Sequence, residues 1–303
     1  MPFRTCSAGN LVVKGAGGAY DARDSPNGKR RFNPPKSDGE LSMMPRPIRK
    51  RMAFFAATLA VALALSAASY AQRRAAPPGE PSVSPEEAFY SGWNHERDPQ
   101  KKTQVGEKFV QSYPTSRHNQ EVYDQLLLAY NAKQDWTNFY TVSDKAIAQF
   151  PDDVTVLALT GWVIPHLYSA DDPDADKKLV KAEAYEKHAL EVIPKLVKAP
   201  AAKQEEFASI QKTMLTMAYS GLGLVYFRKT NYQDSVKQLQ QATQTALSPD
   251  PIDFYALAVG LEHLGRYGDA ADAYQKCSEI AGNVETLCKA SAERIKGQTA
   301  TAK

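Results

Sequence analysis

The chain has 303 residues, of which 43% are hydrophobic, and this length and apolar content suit one or two domains with a packed core. The net charge of +3 is unevenly distributed, because residues 1–71 hold 11 of the 37 Lys and Arg residues but 4 of the 34 Asp and Glu residues. The rest of the chain is mildly acidic and lacks the basic excess on which nucleic-acid affinity depends. We therefore expect no nucleic-acid partner.

Residues 1–42 are rich in Gly, Ser, Pro and Arg and show no apolar periodicity. Such a composition cannot bury enough surface to offset the entropy of ordering, which predicts a disordered leader. The alternative is that translation starts at Met43 or Met44. The Gly-rich stretch at residues 14–18 lacks the Gly-Lys-Ser/Thr ending of a phosphate-binding loop.

Residues 43–71 combine a basic start, an apolar run and a small-residue end. This order predicts a secretory signal peptide cut after Ala71. The apolar stretch from Met52 to Tyr70 is close in length to the roughly 20 residues that span a bilayer, so an uncleaved membrane anchor is the alternative. Both interpretations leave the basic flank in the cytoplasm. The body is then periplasmic or secreted, or is tethered to the inner membrane and faces outward.

A Pro-rich linker is predicted at residues 72–83, where the chain should be extended and semi-rigid. The helical body begins at Ser84, which can cap a helix. Pro85 suits the first helical position, and Glu87 completes a capping box.

From residue 84 to residue 284 the apolar pattern has a helical period and no strand-like alternation, which predicts an all-α fold. Pairs of helices recur, and Gly223 in the first helix of one pair corresponds to Ala258 in the first helix of the next pair. A small residue there lets the second helix of the pair approach closely. Residues at matched spacings then follow in the two second helices: Tyr232, Ser235, Leu239 and Ala242 in the first, and Tyr267, Ala270, Tyr274 and Cys277 in the second.

These residues resemble the tetratricopeptide repeat, whose small, aromatic and Pro positions recur within about 34 residues. The clearest copies are residues 120–153, 216–250 and 251–284, and degenerate copies cover residues 85–119 and 154–200. The resemblance implies a right-handed superhelical solenoid of antiparallel helix pairs, with about five repeats at residues 84–284. The chain departs from the repeat pattern at Leu127, where a small residue is usual, and at Phe139 and Ser235, where Ala is usual.

One unit is longer than the others. The spacing from Gly161 to Ala189 exceeds the equivalent spacing from Gly223 to Ala242 by nine residues, which places an insertion near residues 165–176. Residues 285–303 are predicted to form a capping helix and tail, because a terminal repeat needs a polar outer face.

No catalytic motif is apparent in the chain, so we expect neither an enzyme nor a cofactor. Asp172, Asp174, Asp176 and Glu183 follow the spacing of oxygen ligands in a Ca²⁺ loop. Lys177 occupies the position where that loop needs Gly. We therefore expect no metal, and we interpret the segment as an acidic turn in which Asp174 or Asp176 caps the next helix.

Cys277 and Cys288 lie in the body of the chain. In an exported protein two such residues suggest a disulfide. The alternative is two free thiols, with Cys277 filling a small-residue position.

The resemblance also implies a concave groove, lined by the first helices, that binds a peptide or protein partner. Phe227 and Tyr255 are expected to be exposed toward this groove, and the alternative for every candidate is packing between repeats. By repeat register the candidates are Trp162, His166, Leu224, Phe227, Arg228, Tyr255, Val259 and His263. The expected function is an exported scaffold for protein–protein interaction with an apolar or mixed peptide ligand. The alternatives are a membrane-tethered structural spacer without a groove ligand, or a cryptic hydrolase.

Overall fold

The computed structural model describes residues 83–200 and 202–301, and within these ranges the protein is all-helical with no strand. A short 3₁₀ turn, Ile193–Lys195, lies between the sixth and seventh helices. The eleven α-helices of the described ranges are α1 Pro85–His95, α2 Pro99–Ser112, α3 Asn119–Lys133, α4 Trp136–Gln149, α5 Val154–His166, α6 Ala175–Val192, α7 Gln204–Arg228, α8 Tyr232–Thr245, α9 Pro251–His263, α10 Tyr267–Glu279 and α11 Glu285–Thr301. The predicted leader, the signal or anchor segment and nearly all of the linker lie outside the described residues.

The start of α1 follows the sequence prediction. The Ser84 hydroxyl accepts a hydrogen bond from the Glu87 backbone N–H at 3.2 Å, and Pro85 occupies the first turn. The Glu87 carboxylate instead binds Arg117 at 2.6 Å and His118 at 3.1 Å, which ties α1 to the start of α3. Helix capping and an ion pair between helices therefore use the same short segment.

Three of the helix pairs are joined by the same turn. Gln134, Thr230 and Gly265 end the first helices with φ values of 58°, 57° and 73°. The next residue in each case donates its N–H to a carbonyl five residues earlier, at 3.0, 2.9 and 2.9 Å. A left-handed residue that ends a helix satisfies carbonyls that would otherwise lack partners. The turn therefore repeats at one position in units 120–153, 216–250 and 251–284.

The helices pack mainly on their neighbours along the chain, and α7 also packs on both α5 and α9. Close approach within the α7–α8 pair depends on Gly223, because a Cβ atom there would lie 2.7 Å from Leu239 Cγ. This agrees with the predicted role of the small residue. At the departures from the repeat pattern, Leu127 and Phe139 are fully buried in the core, and the Ser235 hydroxyl donates to the Gly223 carbonyl at 2.9 Å.

The C-terminal helix α11 packs on α10, in the segment predicted to cap the repeats. Cys277 of α10 and Cys288 of α11 are joined as a disulfide, with their Cα atoms 5.8 Å apart. Both residues are fully buried. Among the described residues, no helix has the length and apolar content needed to cross a membrane.

Candidate functional site

Most of the predicted groove residues are core residues in the structure. Trp162, Leu224, Phe227 and Tyr255 are each no more than 3% exposed. The Phe227 ring meets Tyr232 edge-on at 6.0 Å between ring centres, within a cluster formed by α7 to α11. The structure therefore does not expose Phe227 and Tyr255 toward a groove. The reason is that the neighbouring helices close over these faces, and repeat register alone does not determine how tightly they close.

His166, at the end of α5, is also buried and packs against neighbouring residues where a groove was predicted. Its ring lies on Trp162, with 4.0 Å between ring centres, and its Nδ1 atom is 2.7 Å from the Trp162 carbonyl. Its Nε2 atom lies 3.8 Å from the carboxylate of Asp250, the residue that caps α9. His166 is therefore a buried contact between α5 and the start of α9.

The remaining groove candidates are more accessible. Val259 and Arg228 are half-buried and His263 is exposed. The His263 ring stacks on Tyr232 at 4.0 Å between ring centres. The Arg228 guanidinium donates to the Pro165 carbonyl at 3.3 Å and lies 5.1 Å from the ring centre of Tyr168. Ligand binding by these three residues stays a prediction.

A concave site that was not predicted lies beside the inserted segment, and we call it the insertion cleft. Its cavity volume is about 30 Å³, and the empty space in and above it, including open solvent, is about 260 Å³. Its walls come from α4, the end of α5, the loop that follows and the start of α6. The lining residues are Tyr140, Ile164, Leu167, Tyr168, Ser169, Asp172, Ala175 and Lys178.

Charged and aromatic side chains are held in place around the insertion cleft. Lys178 pairs with Asp172 at 2.6 Å, and its ammonium lies 5.6 Å from the ring centre of Tyr140. This hydrogen bond from Lys178 holds the pKa of the Asp172 carboxyl below its usual value. Burial, with the nearby Asp172 charge adding to it, raises the pKa of Tyr140 to about 12. The Tyr140 phenol is therefore a hydrogen-bond donor at neutral pH.

The second cation near the insertion cleft is Arg228, whose guanidinium lies over the Tyr168 ring. Burial lowers the pKa of Arg228 to about 10, which leaves the guanidinium charged at neutral pH. A cation over an aromatic face is an attractive arrangement that fixes the ring. The insertion cleft therefore combines oriented aromatic rings, an apolar wall and polar groups, as binding pockets for side chains or small ligands do.

Asp172, Asp174 and Glu183 of the predicted Ca²⁺-loop pattern each pair with a lysine. Asp174 contacts Lys177 at 2.9 Å, and Glu183 contacts both Lys187 and Lys229 at 2.6 Å. Within the part of the chain that the structure describes, no cluster of three or more ligating side chains could hold a metal ion. Asp174 stands at the N-cap position of α6, although its side chain makes no capping hydrogen bond there.

A scan against protein-family models and a search of curated proteins both find no match to this chain. The arrangement of its own residues is therefore the basis for a functional proposal.

Proposed function

We propose that this chain is an exported helical-repeat scaffold of the tetratricopeptide type, which binds a peptide or protein partner. The observation that supports it most is the recurrent turn at Gln134, Thr230 and Gly265, with the same backbone hydrogen bonds in each case. Stacking of such units produces a superhelical solenoid with extended surfaces for binding. Export rests on the order of basic, apolar and small residues at positions 43–71.

The partner is proposed to bind at the insertion cleft, because the side chains that repeat register assigns to the groove are largely buried. The cleft lies beside the one unit that carries the insertion, with Tyr140 of the preceding unit completing its wall, so it distinguishes this repeat from its neighbours. Tyr168 is the central residue, since it is half-buried, lines the cleft and lies over Arg228. Aromatic anchors of this kind dominate the energy of many interfaces. The lining offers apolar, aromatic and polar contacts to the surface of a partner.

Tyr168→Ala is expected to weaken partner binding by about tenfold or more, because an aromatic anchor typically contributes over 1 kcal/mol to binding. Binding is measured by titrating the partner, recovered by crosslinked pulldown, against the purified variant. Tyr168→Phe should bind like wild type, since it keeps the ring over Arg228. The matched control is Tyr219→Ala, which removes a half-buried tyrosine that does not line the cleft. Equal losses from both alanine variants would contradict the proposed site.

The second candidate is a membrane-tethered structural spacer without a groove ligand. The observation that favours it is the burial of Trp162, Leu224, Phe227 and Tyr255, because a spacer needs rigid packing and no open groove. The same pulldown separates the two functions. A spacer predicts no partner whose recovery depends on Tyr168.

A further inference from the structure

Glu186 occupies a position that other repeats fill with uncharged side chains. Leu239 follows Gly223 by the same number of positions as Tyr274 follows Ala258. Glu186 follows Gly161 by that same offset plus the nine residues by which this unit is longer. Glu186 and Leu239 are 0% exposed and Tyr274 is 1% exposed. A carboxyl group therefore stands at the contact between the helices of this unit.

Two glycines make the space that this carboxyl group fills. A Cβ atom on Gly161 of α5 would lie 2.5 Å from Glu186 Cδ, and one on Gly221 of α7 would lie 2.8 Å from the same atom. The Gly221 Cβ would also lie 3.0 Å from the backbone of Trp162. The Glu186 side chain, which projects from α6, therefore sits where α5, α6 and α7 meet.

Neither carboxylate oxygen of Glu186 has a hydrogen-bond partner among the described residues. A buried carboxylate without partners is strongly unfavourable, so the group stays neutral by taking up a proton. Burial alone raises the pKa of Glu186 well above its ordinary value of 4.5.

The titratable residues nearest along the three helices do not offset this burial. On α6 these are Glu183, Tyr185, Lys187 and His188, on α5 the only one is His166, and on α7 they are Tyr219, Tyr226 and Arg228. His188 contacts Asp152 at 2.7 Å. Glu183 and Lys187 pair with each other, and His166 faces Trp162 and Asp250. None of these residues hydrogen-bonds to the Glu186 carboxyl, which leaves it in an apolar contact between helices.

We propose that Glu186 is a pH-sensitive switch, which holds α5, α6 and α7 together while it is neutral and loosens their contact when it ionises. An ionised carboxylate at this position requires water, and the contact must open to admit it. Helix α6, which carries Glu186, also supplies Ala175 and Lys178 to the insertion cleft. The switch does not depend on whether the cleft binds a partner.

The direction of the pH effect follows from linkage. A carboxyl group with a raised pKa in the folded state binds protons more tightly there than in the unfolded chain. Its stabilising contribution is therefore complete below the unfolded value of 4.5. That contribution is lost as pH rises through the folded pKa. The contact among the three helices should therefore weaken as pH rises.

The test compares the full-length protein with Glu186→Gln, which keeps the shape of the side chain and cannot ionise. Melting temperatures are recorded by circular dichroism from pH 5 to pH 9. We expect the melting temperature of wild type to fall relative to that of Glu186→Gln as pH rises. Two curves that stay parallel across this range would overturn the proposal. Glu186→Leu, which installs the residue found at Leu239, should also remove the dependence and guards against a Gln variant that folds poorly.

Hydrogen exchange followed by mass spectrometry locates the effect. At pH 8.5, peptides from α5 to α7 of wild type should exchange about tenfold or more faster than in Glu186→Gln, because the ionised carboxylate opens the contact locally and exposes their amides. Peptides from α9 to α11 should exchange alike in the two proteins. Asp124→Asn is the matched control, because it neutralises another fully buried acid and should leave the exchange of α6 at the wild-type rate. Loss of protection spread equally over all helices would contradict a local switch.

Discussion

Replacing Phe227 by alanine is expected to lower the free energy of unfolding by about 3–5 kcal/mol, the usual cost of removing a phenyl ring from a core. Phe227 is 3% exposed and packs in the cluster that joins α7 to the four helices that follow it. The loss is measured by chemical denaturation of the variant and wild type. The same change at Tyr255, which is 2% exposed, should also cost several kcal/mol.

Lys237→Ala is the control for Phe227→Ala, because Lys237 lies on α8 and is exposed. Surface substitutions usually change stability by no more than about 0.5 kcal/mol. If Phe227→Ala left stability intact and abolished partner binding, Phe227 would be a groove residue and the packing described for it would be wrong.

Replacing Gly221 by alanine is expected to destabilise the protein by about 1–3 kcal/mol, because an added methyl group overpacks the contact with Glu186 and the Trp162 backbone. The added Cβ would lie within 3.0 Å of both, and the backbone has little room to move. The loss appears although alanine favours a helix over glycine by about 1 kcal/mol. Thermal and chemical denaturation give the size of the effect.

Gly92→Ala is the matched control, since Gly92 lies inside α1 and an added Cβ would meet nothing within 4 Å. This control should stabilise the protein by up to about 1 kcal/mol, the helix propensity difference alone. The double variant Gly161→Ala with Glu186→Ala should lose less stability than the two single changes added together. The reason is that the Cβ added at position 161 clashes with the Glu186 side chain, which the second change removes. Strictly additive losses would contradict the contact between Gly161 and Glu186.

Features set by local interactions could be predicted from the sequence. Ser84 and Pro85 start a helix because capping depends on the residues within one turn. Gly223 marks a close approach because a missing side chain leaves room for Leu239. The contact between α10 and α11 that brings Cys277 to Cys288 follows from the short break between these helices.

Features set by several helices at once could not be predicted in the same way. The exposure of Phe227 and Tyr255 depends on how closely the next pair packs over the face that carries them. The sequence predicts the length of the insertion. It does not predict the insertion cleft, because the walls of the cleft come from helices separated in sequence. The position of Glu186 at the helix contact could have been predicted by counting residues. Its distance in sequence from Gly161 equals the offset found in other repeats plus the length of the insertion.

The insertion cleft is proposed as the partner-binding surface of a helical-repeat scaffold. Its most direct test places a photo-crosslinking amino acid at Ser169, an exposed residue of the cleft, and separately at Lys237, an exposed residue of α8. After irradiation in an envelope extract from the source cells, we expect one discrete adduct from position 169. That adduct should disappear when Tyr168 is also replaced by alanine, and position 237 should not give it. The same adduct from both positions, or an adduct from position 169 that persists without the Tyr168 ring, would contradict the claim.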